Sequence, residues 1–197
     1  MKTQEDHRDD ISGVILAGGL GRRMGQRDKG WMSFQGRPLI AHVLERFRPQ
    51  VDKVIISANR NRERYETLGY TVVADMTGDF SGPLAGWQAV LRATKTSWLA
   101  SVPCDSPRFP DDLVARLYRA AIQKSAPIAI ACTQARAHPV FALLHRDLLT
   151  RLTHYLENGG RRVETWCRDC GAAEAIFDDQ QEAFDNINTE NDLWKNG

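Results

Sequence analysis

An α/β fold with a mostly parallel central sheet and helices on both faces is what this sequence predicts. Three observations predict it. Short apolar runs alternate with amphipathic stretches along the chain, the order that gives parallel strands joined by crossover helices. The runs are mostly continuous and apolar, as strands are when both faces of a sheet are covered. No repeat, low-complexity tract or Pro/Ser-rich linker divides the 197 residues, a length that suits one domain. The expected architecture is therefore Rossmann-like and single-domain over residues 1–197, with residues 1–10 flexible.

Strands are expected at residues 14–16, 54–56, 72–73, 98–102, 128–132 and 140–144. Between the first two, Leu39, Ile40, Val43, Leu44 and Phe47 form one helical stripe, with Pro38 in its first turn. A short polar helix over 62–68 is stopped by Gly69. Trp87, Val90 and Leu91 follow the turn Gly82-Pro83. Leu113, Val114, Leu117, Tyr118 and Ala121 form a further stripe, capped by Asp111 or Asp112. Leu148, Leu149, Leu152 and Leu156 form another, which ends at Asn158-Gly159-Gly160.

Composition narrows the function classes. Lys and Arg number 26 against 25 Asp and Glu, a net charge of +1, too little excess for a nucleic-acid-coating or polybasic membrane protein. No apolar run approaches the ~18 residues of a membrane-spanning helix. The first ten residues, MKTQEDHRDD, lack the apolar region of a signal peptide. Four cysteines do not make a disulfide scaffold at this length. The reading is of a soluble, reduced, cytoplasmic chain with neither nucleic acid nor membrane as partner.

In such sheets ligands bind beyond the carboxyl ends of the strands, so segments that follow a strand carry the most weight. The first strand runs into Leu16-Ala17-Gly18-Gly19-Leu20-Gly21-Arg22-Arg23-Met24-Gly25, and Asp28-Lys29-Gly30 follows. Clustered glycines let backbone N–H groups converge on an anion, and Arg22, Arg23 and Lys29 add charge there. A phosphate site fits, although neither Gly-x-x-x-x-Gly-Lys-Ser/Thr nor the full dinucleotide fingerprint is present. The alternative is a tight strand-to-helix turn with solvated arginines. Asp105 ends the apolar strand between Pro103 and Pro107, where one carboxylate beside substrate phosphates and water can hold Mg²⁺. Its alternative is a turn-forming aspartate.

The segment LAGGLGRRMGQRDKG resembles the signature of nucleotidyltransferases with the nucleotide-diphospho-sugar transferase fold. Within that group it is most similar to the molybdenum cofactor guanylyltransferases (MobA-type). Cytidylyltransferases usually carry L-A-A-G where this chain has Gly19 after Gly18. Asn59-Arg60, Asp75, Gly82-Pro83-Leu84-Ala85-Gly86, Pro103-Cys104-Asp105-Ser106-Pro107, His138-Pro139 and Asn186-Ile187-Asn188-Thr189 follow in the family's order.

The resemblance implies a Mg²⁺-dependent transfer of GMP from GTP to the terminal phosphate of molybdopterin. It implies a nucleotide-facing first half and a second half that completes the acceptor pocket. Arg23, Lys29 and Asp105 would carry the catalysis, with Asp105 on the metal. Leu16, Ala17, Gly18, Gly19, Lys29, Asp75, Gly82 and Asp105 would line the nucleotide site. The family commonly has an asparagine where this chain has Ser57, so Ser57 and Asn59 both stand as candidate contacts. Asn186 and Asn188 would lie on the pterin side, or else form a turn with Asn188 or Thr189 as cap. Arg161-Arg162 would face that substrate or solvent. A molybdenum insertase and molybdoenzyme chaperones are candidate protein partners.

Two features fall outside that scheme. His138 is expected at a turn or sheet edge rather than in catalysis. Cys167-Arg168-Asp169-Cys170 has redox or half-zinc spacing, yet it lies at the end of a helical stretch stopped by Gly171 and has no second pair. Two rival functions remain: a cytidylyl- or sugar-phosphate nucleotidyltransferase of the same fold, and a non-catalytic nucleotide-binding module.

Overall fold

A computed structural model of the chain describes residues 10–18, 28–75 and 82–187. Among them the strands are β1 (Ile11–Leu16), β2 (Ser33–Phe34), β3 (Arg37–Pro38), β4 (Lys53–Ser57), β5 (Thr71–Val73), β6 (Trp98–Pro103), β7 (Ile128–Cys132), β8 (Ala137–His145) and β9 (Ala173–Ile176). The helices are α1 (Leu39–Phe47), α2 (Arg62–Glu66), α3 (Pro83–Ala93), α4 (Leu113–Gln123), α5 (Leu148–Glu157) and α6 (Val163–Asp169). Seven strands form one sheet in the order β5-β4-β1-β6-β8-β7-β9, and β2 pairs with β3 as a separate hairpin.

Every expected strand is present, and the sheet is mostly parallel. β8 is the exception, antiparallel to both β6 and β7. The register slips beside it: Ile130 faces Ala142, but Ala131 faces His138, so residues 139–141 bulge from the ladder.

Side chains alternate across the sheet and feed two cores. Ile15 packs with Ile40, Val43, Phe47 and Leu117 on the face covered by α1 and α4. Its neighbour Val14 packs with Leu84, Trp87, Val90 and Leu152 on the face covered by α3 and α5. The predicted α1 stripe is buried at all five positions. Trp87 is fully buried, and its Nε1 donates to Ser101 Oγ at 2.7 Å, so the indole loses no hydrogen bond on burial.

Some boundaries differ from expectation. Pro38 is not in the first turn of α1 but just before it, at the N-cap, because its backbone is extended and pairs in β3. α2 closes at Glu66, with a turn to Gly69 (φ +79°) completing the predicted span. Of the two predicted aspartates, Asp112 is the N-cap of α4, although its side chain makes no capping hydrogen bond, and Asp111 pairs with Arg46 at 2.8 Å. The side-chain cap comes from Gln50, whose Oε1 accepts from Val114 N–H and whose Nε2 donates to the Pro110 carbonyl.

The strand order also locates the crevice. Chain leaving β1 moves toward β4 and β5, whereas β6 lies on the other side of β1 and leads toward β7. The switch point therefore falls between the carboxyl ends of β1 and β6, where Leu16 faces Pro103.

Candidate functional site

Those predicted nucleotide-site residues that lie among the described ones gather around this switch point in two groups. The first surrounds a cavity of about 170 Å³ lined by Leu16, Gly18, Ser57, Asp75, Gly82 and Pro103, among others. Ala17 N–H donates to the Ser57 carbonyl at 2.8 Å, which carries the β1–β4 pairing one residue past the strand. Gly82 has φ +73° and opens α3, whose amino-terminal turn borders the cavity. A Cβ on Gly86 would lie 2.6 Å from Leu16 Cδ2 and 2.8 Å from Ser57 Oγ, so glycine lets α3 sit against both strand ends.

Asp75 and Asn59 form a reciprocal pair across the ends of β4 and β5. Asn59 Nδ2 donates to Asp75 Oδ2 at 2.7 Å, and Asp75 N–H donates to Asn59 Oδ1 at 2.8 Å. Burial raises the Asp75 carboxyl above its ordinary range, and hydrogen bonds from Asn59 and Ser57 offset part of that. Ser57, itself buried, is thus in the site although it departs from the family pattern. The reciprocal pairing was not legible in the sequence, since nothing local links residues 59 and 75.

The second group is ionic. Lys29 Nζ lies 2.8 Å from Asp105 Oδ2, with the Asp105 side chain only 10% exposed. Asp105 follows β6, and Cys104 N–H donates to the Leu16 carbonyl, so the loop is tied to β1. It is also held from the far end of the chain. Ile187 N–H donates to the Asp105 carbonyl at 2.8 Å, and Ser106 Oγ donates to Asn186 Oδ1 at 2.7 Å. Ile187 is buried with Phe34 and Leu39, which joins this segment to the hairpin after Lys29. Asp105 Oδ1 takes no hydrogen bond from the described residues. Gly19, Arg22, Arg23 and Asn188 lie outside the described residues.

His138 is not at a turn or edge: it lies within β8, inside the sheet, because the adjoining bulge turns its ring inward. The ring stacks on Phe184 at 4.7 Å, Nε2 lies 3.2 Å from Thr133 Oγ1, and burial lowers its pKa. Arg161 Nη1 donates to the Leu156 and Gly160 carbonyls and so caps the end of α5.

Cys167 and Cys170 are buried free thiols near the end of α6. Burial pushes Cys167 up to about 12, with Cys170 beside it adding to the effect, and burial pushes Cys132 up to about 11. Thiolate, the reactive form, is therefore scarce in the folded protein. At about pH 8 a thiol reagent is expected to label none of the four cysteines until the chain is denatured. Rapid native labelling of Cys167 or Cys170 would reverse that reading.

Comparison with known proteins agrees with this geometry. The MobA-like NTP transferase domain family matches residues 13–170. A molybdenum cofactor guanylyltransferase of Cupriavidus necator is 46% identical over 191 residues, covering 94% of this chain and 96% of that protein. Its namesake from Serratia proteamaculans is 46% identical over 188 residues, covering 95% and 94%. In fold the chain is similar to molybdopterin-guanine dinucleotide biosynthesis protein A of Archaeoglobus fulgidus. The TM-score is 0.76 at 22% identity, over 93% of this chain and 95% of that one. On the extent of the family match and on these identities, this chain belongs to the MobA-like NTP transferases.

Proposed function

We propose that the protein transfers GMP from GTP to the terminal phosphate of molybdopterin, with release of pyrophosphate. The observation that carries the reading is the Lys29–Asp105 pair at the β1–β6 switch point, beside a cavity walled by Gly18, Ser57 and Asp75. In the reaction an acceptor phosphate oxygen bonds to the α-phosphorus of GTP, and the bond from that phosphorus to the bridging oxygen of pyrophosphate breaks. The acceptor is already anionic near neutral pH, so no strong general base is required. Two polyanions must instead be held in line and their charge offset.

The residues suit those tasks. Lys29 supplies a point charge for the triphosphate. The Leu16-Ala17-Gly18 backbone leaves the chain open to close approach, and Gly19 and Arg23 extend that role on the family resemblance. Asp75, oriented by Asn59 and Ser57, is assigned to the nucleotide on the same resemblance. Asn186 and Asn188 are assigned to the acceptor side on the same resemblance.

The donor set also fits Mg²⁺. Asp105 offers a hard carboxylate with one oxygen unengaged by the described residues, and Mg²⁺ takes its remaining ligands from water and phosphates. No cluster of three or more His, Cys, Asp or Glu able to hold a metal occurs among the described residues, and one carboxylate is sufficient for this ion. Bound there, the ion would offset phosphate charge.

The test is an incubation with Mg²⁺ and each nucleoside triphosphate, with and without molybdopterin, read as pyrophosphate. Release is expected with GTP plus molybdopterin. A preference for CTP would replace the guanylyl reading by a cytidylyl one, and a preference for a sugar phosphate would replace the acceptor. Binding without turnover would leave a nucleotide-binding module.

A further inference from the structure

Lys29 needs a fixed base if its ammonium is to serve the triphosphate, and the structure shows what fixes it. Asp28 is the N-cap of the 3-10 turn Lys29–Trp31, and its carboxylate is engaged on both oxygens. Oδ1 accepts from Gly30 N–H at 3.2 Å and from the Tyr65 hydroxyl, and Oδ2 accepts from Asn61 Nδ2 at 2.9 Å. Asn61 is the N-cap of α2 and Tyr65 its penultimate residue, between β4 and β5. The Tyr65 ring is fully buried in the core under the sheet, so its hydroxyl is a rigid post rather than a mobile surface group. Trp31 packs on that ring at 5.4 Å, and the Arg64 guanidinium lies 4.0 Å over the Trp31 ring, which steadies the other end of the turn.

From this geometry we infer that Tyr65 is a positioning residue for Lys29, acting through Asp28. The inference rests on the reading of Lys29 as the triphosphate-binding cation. Gly30 bears the imprint of the same contact. It has no left-handed backbone to explain a glycine, yet a Cβ there would stand 2.5 Å from Tyr65 Oη and 3.3 Å from Cζ. The hydroxyl excludes a side chain from the residue after Lys29. Burial raises the Tyr65 pKa, and Cys104 and Asp28 raise it further, so the phenol remains a donor at any working pH.

A hydroxyl that merely held the loop together would slow the enzyme whether or not Lys29 were present. One that acts through Lys29 would not. Steady-state kinetics with GTP and molybdopterin should therefore be measured for Tyr65→Phe, Lys29→Ala and the double variant. Tyr65→Phe keeps the buried ring and is expected to lower kcat/KM for GTP by about tenfold, since small misplacements of a binding group cost that much. The loss should fall on the GTP KM, with the molybdopterin KM unchanged. In the Lys29→Ala background the same substitution should change kcat/KM by less than about twofold. Equal losses in both backgrounds would overturn the inference while leaving the Lys29 reading intact. Wild-type kinetics for Lys29→Ala would sink that reading and the inference with it.

Gly30→Ala supplies an arm that does not depend on the stability of Tyr65→Phe. It should damage GTP use in the otherwise unaltered protein and do markedly less harm in the Tyr65→Phe background, where the clashing oxygen is gone. Equal damage in both would show that the hydroxyl does not set the position of this turn.

Discussion

Asp105→Asn is expected to lower pyrophosphate release by about 100-fold or more, with the fold retained. Asparagine keeps the size of the side chain and leaves the peptide that bonds Ile187 unchanged. The Ser106–Asn186 bond is likewise untouched, so the loop should stay in place. What disappears is the charge opposite Lys29 and, on the proposed reading, the carboxylate that would hold Mg²⁺. Lys29 is 28% exposed on its side chain, so water and salt soften the loss of its partner, and the thermal transition should move by only a few degrees. Activity titrated against Mg²⁺ is the deciding measurement. Turnover near that of the unaltered protein, at an unchanged Mg²⁺ requirement, would remove Asp105 from the metal. A collapsed thermal transition would make it a structural residue.

Lys29→Ala is expected to cost about 10- to 150-fold in GTP affinity, in turnover, or divided between them. The figure follows from roughly 1.5–3 kcal/mol for a hydrogen bond to a charged group. Two consequences compound one another. The triphosphate loses a cation, and Asp105 is left facing that polyanion with its Lys29 partner removed. Raising the salt concentration should narrow the gap between variant and parent, since part of the effect is long-range attraction. Titration calorimetry with GTP and steady-state rates together check the prediction. If both matched the parent, Lys29 would be a solvated loop residue.

The fold was legible where composition determines it. Continuous apolar runs such as Ile128–Cys132 announce a strand covered on both faces, and all five residues are buried. β9 was illegible because Ala173–Ile176 alternates small buried alanines with exposed residues and is only four residues long. The direction of β8 was illegible for another reason: apolarity states that a strand is buried, not which way it runs. The cap of α4 followed the same logic, since Gln50 reaches it from a distant turn.

The site divides in a similar way. Lys29 and Asp105 were legible because each follows closely on a glycine-rich turn or a strand end, where chemistry collects in this fold class. The groups that aim them were not. Tyr65 lies in a short helix whose local pattern reads as polar surface, and its partner Asp28 is 37 residues away. Asn59 and Asp75 each follow a strand, but only adjacency of β4 and β5 turns them into a pair.

The bond from Ile187 to the Asp105 carbonyl has a consequence for how the protein is made. A chain emerging from the ribosome can pair β1, β4 and β6 early, because their residues are synthesised first. Its aspartate loop, by contrast, waits for Ile187, which enters after every strand and helix of the sheet has been translated. Nascent chains therefore hold the nucleotide-facing strands before they hold a fastened carboxylate. On the proposed reading, a chain lacking Ile187 would keep the strands that face the nucleotide but leave the Asp105 loop without that bond.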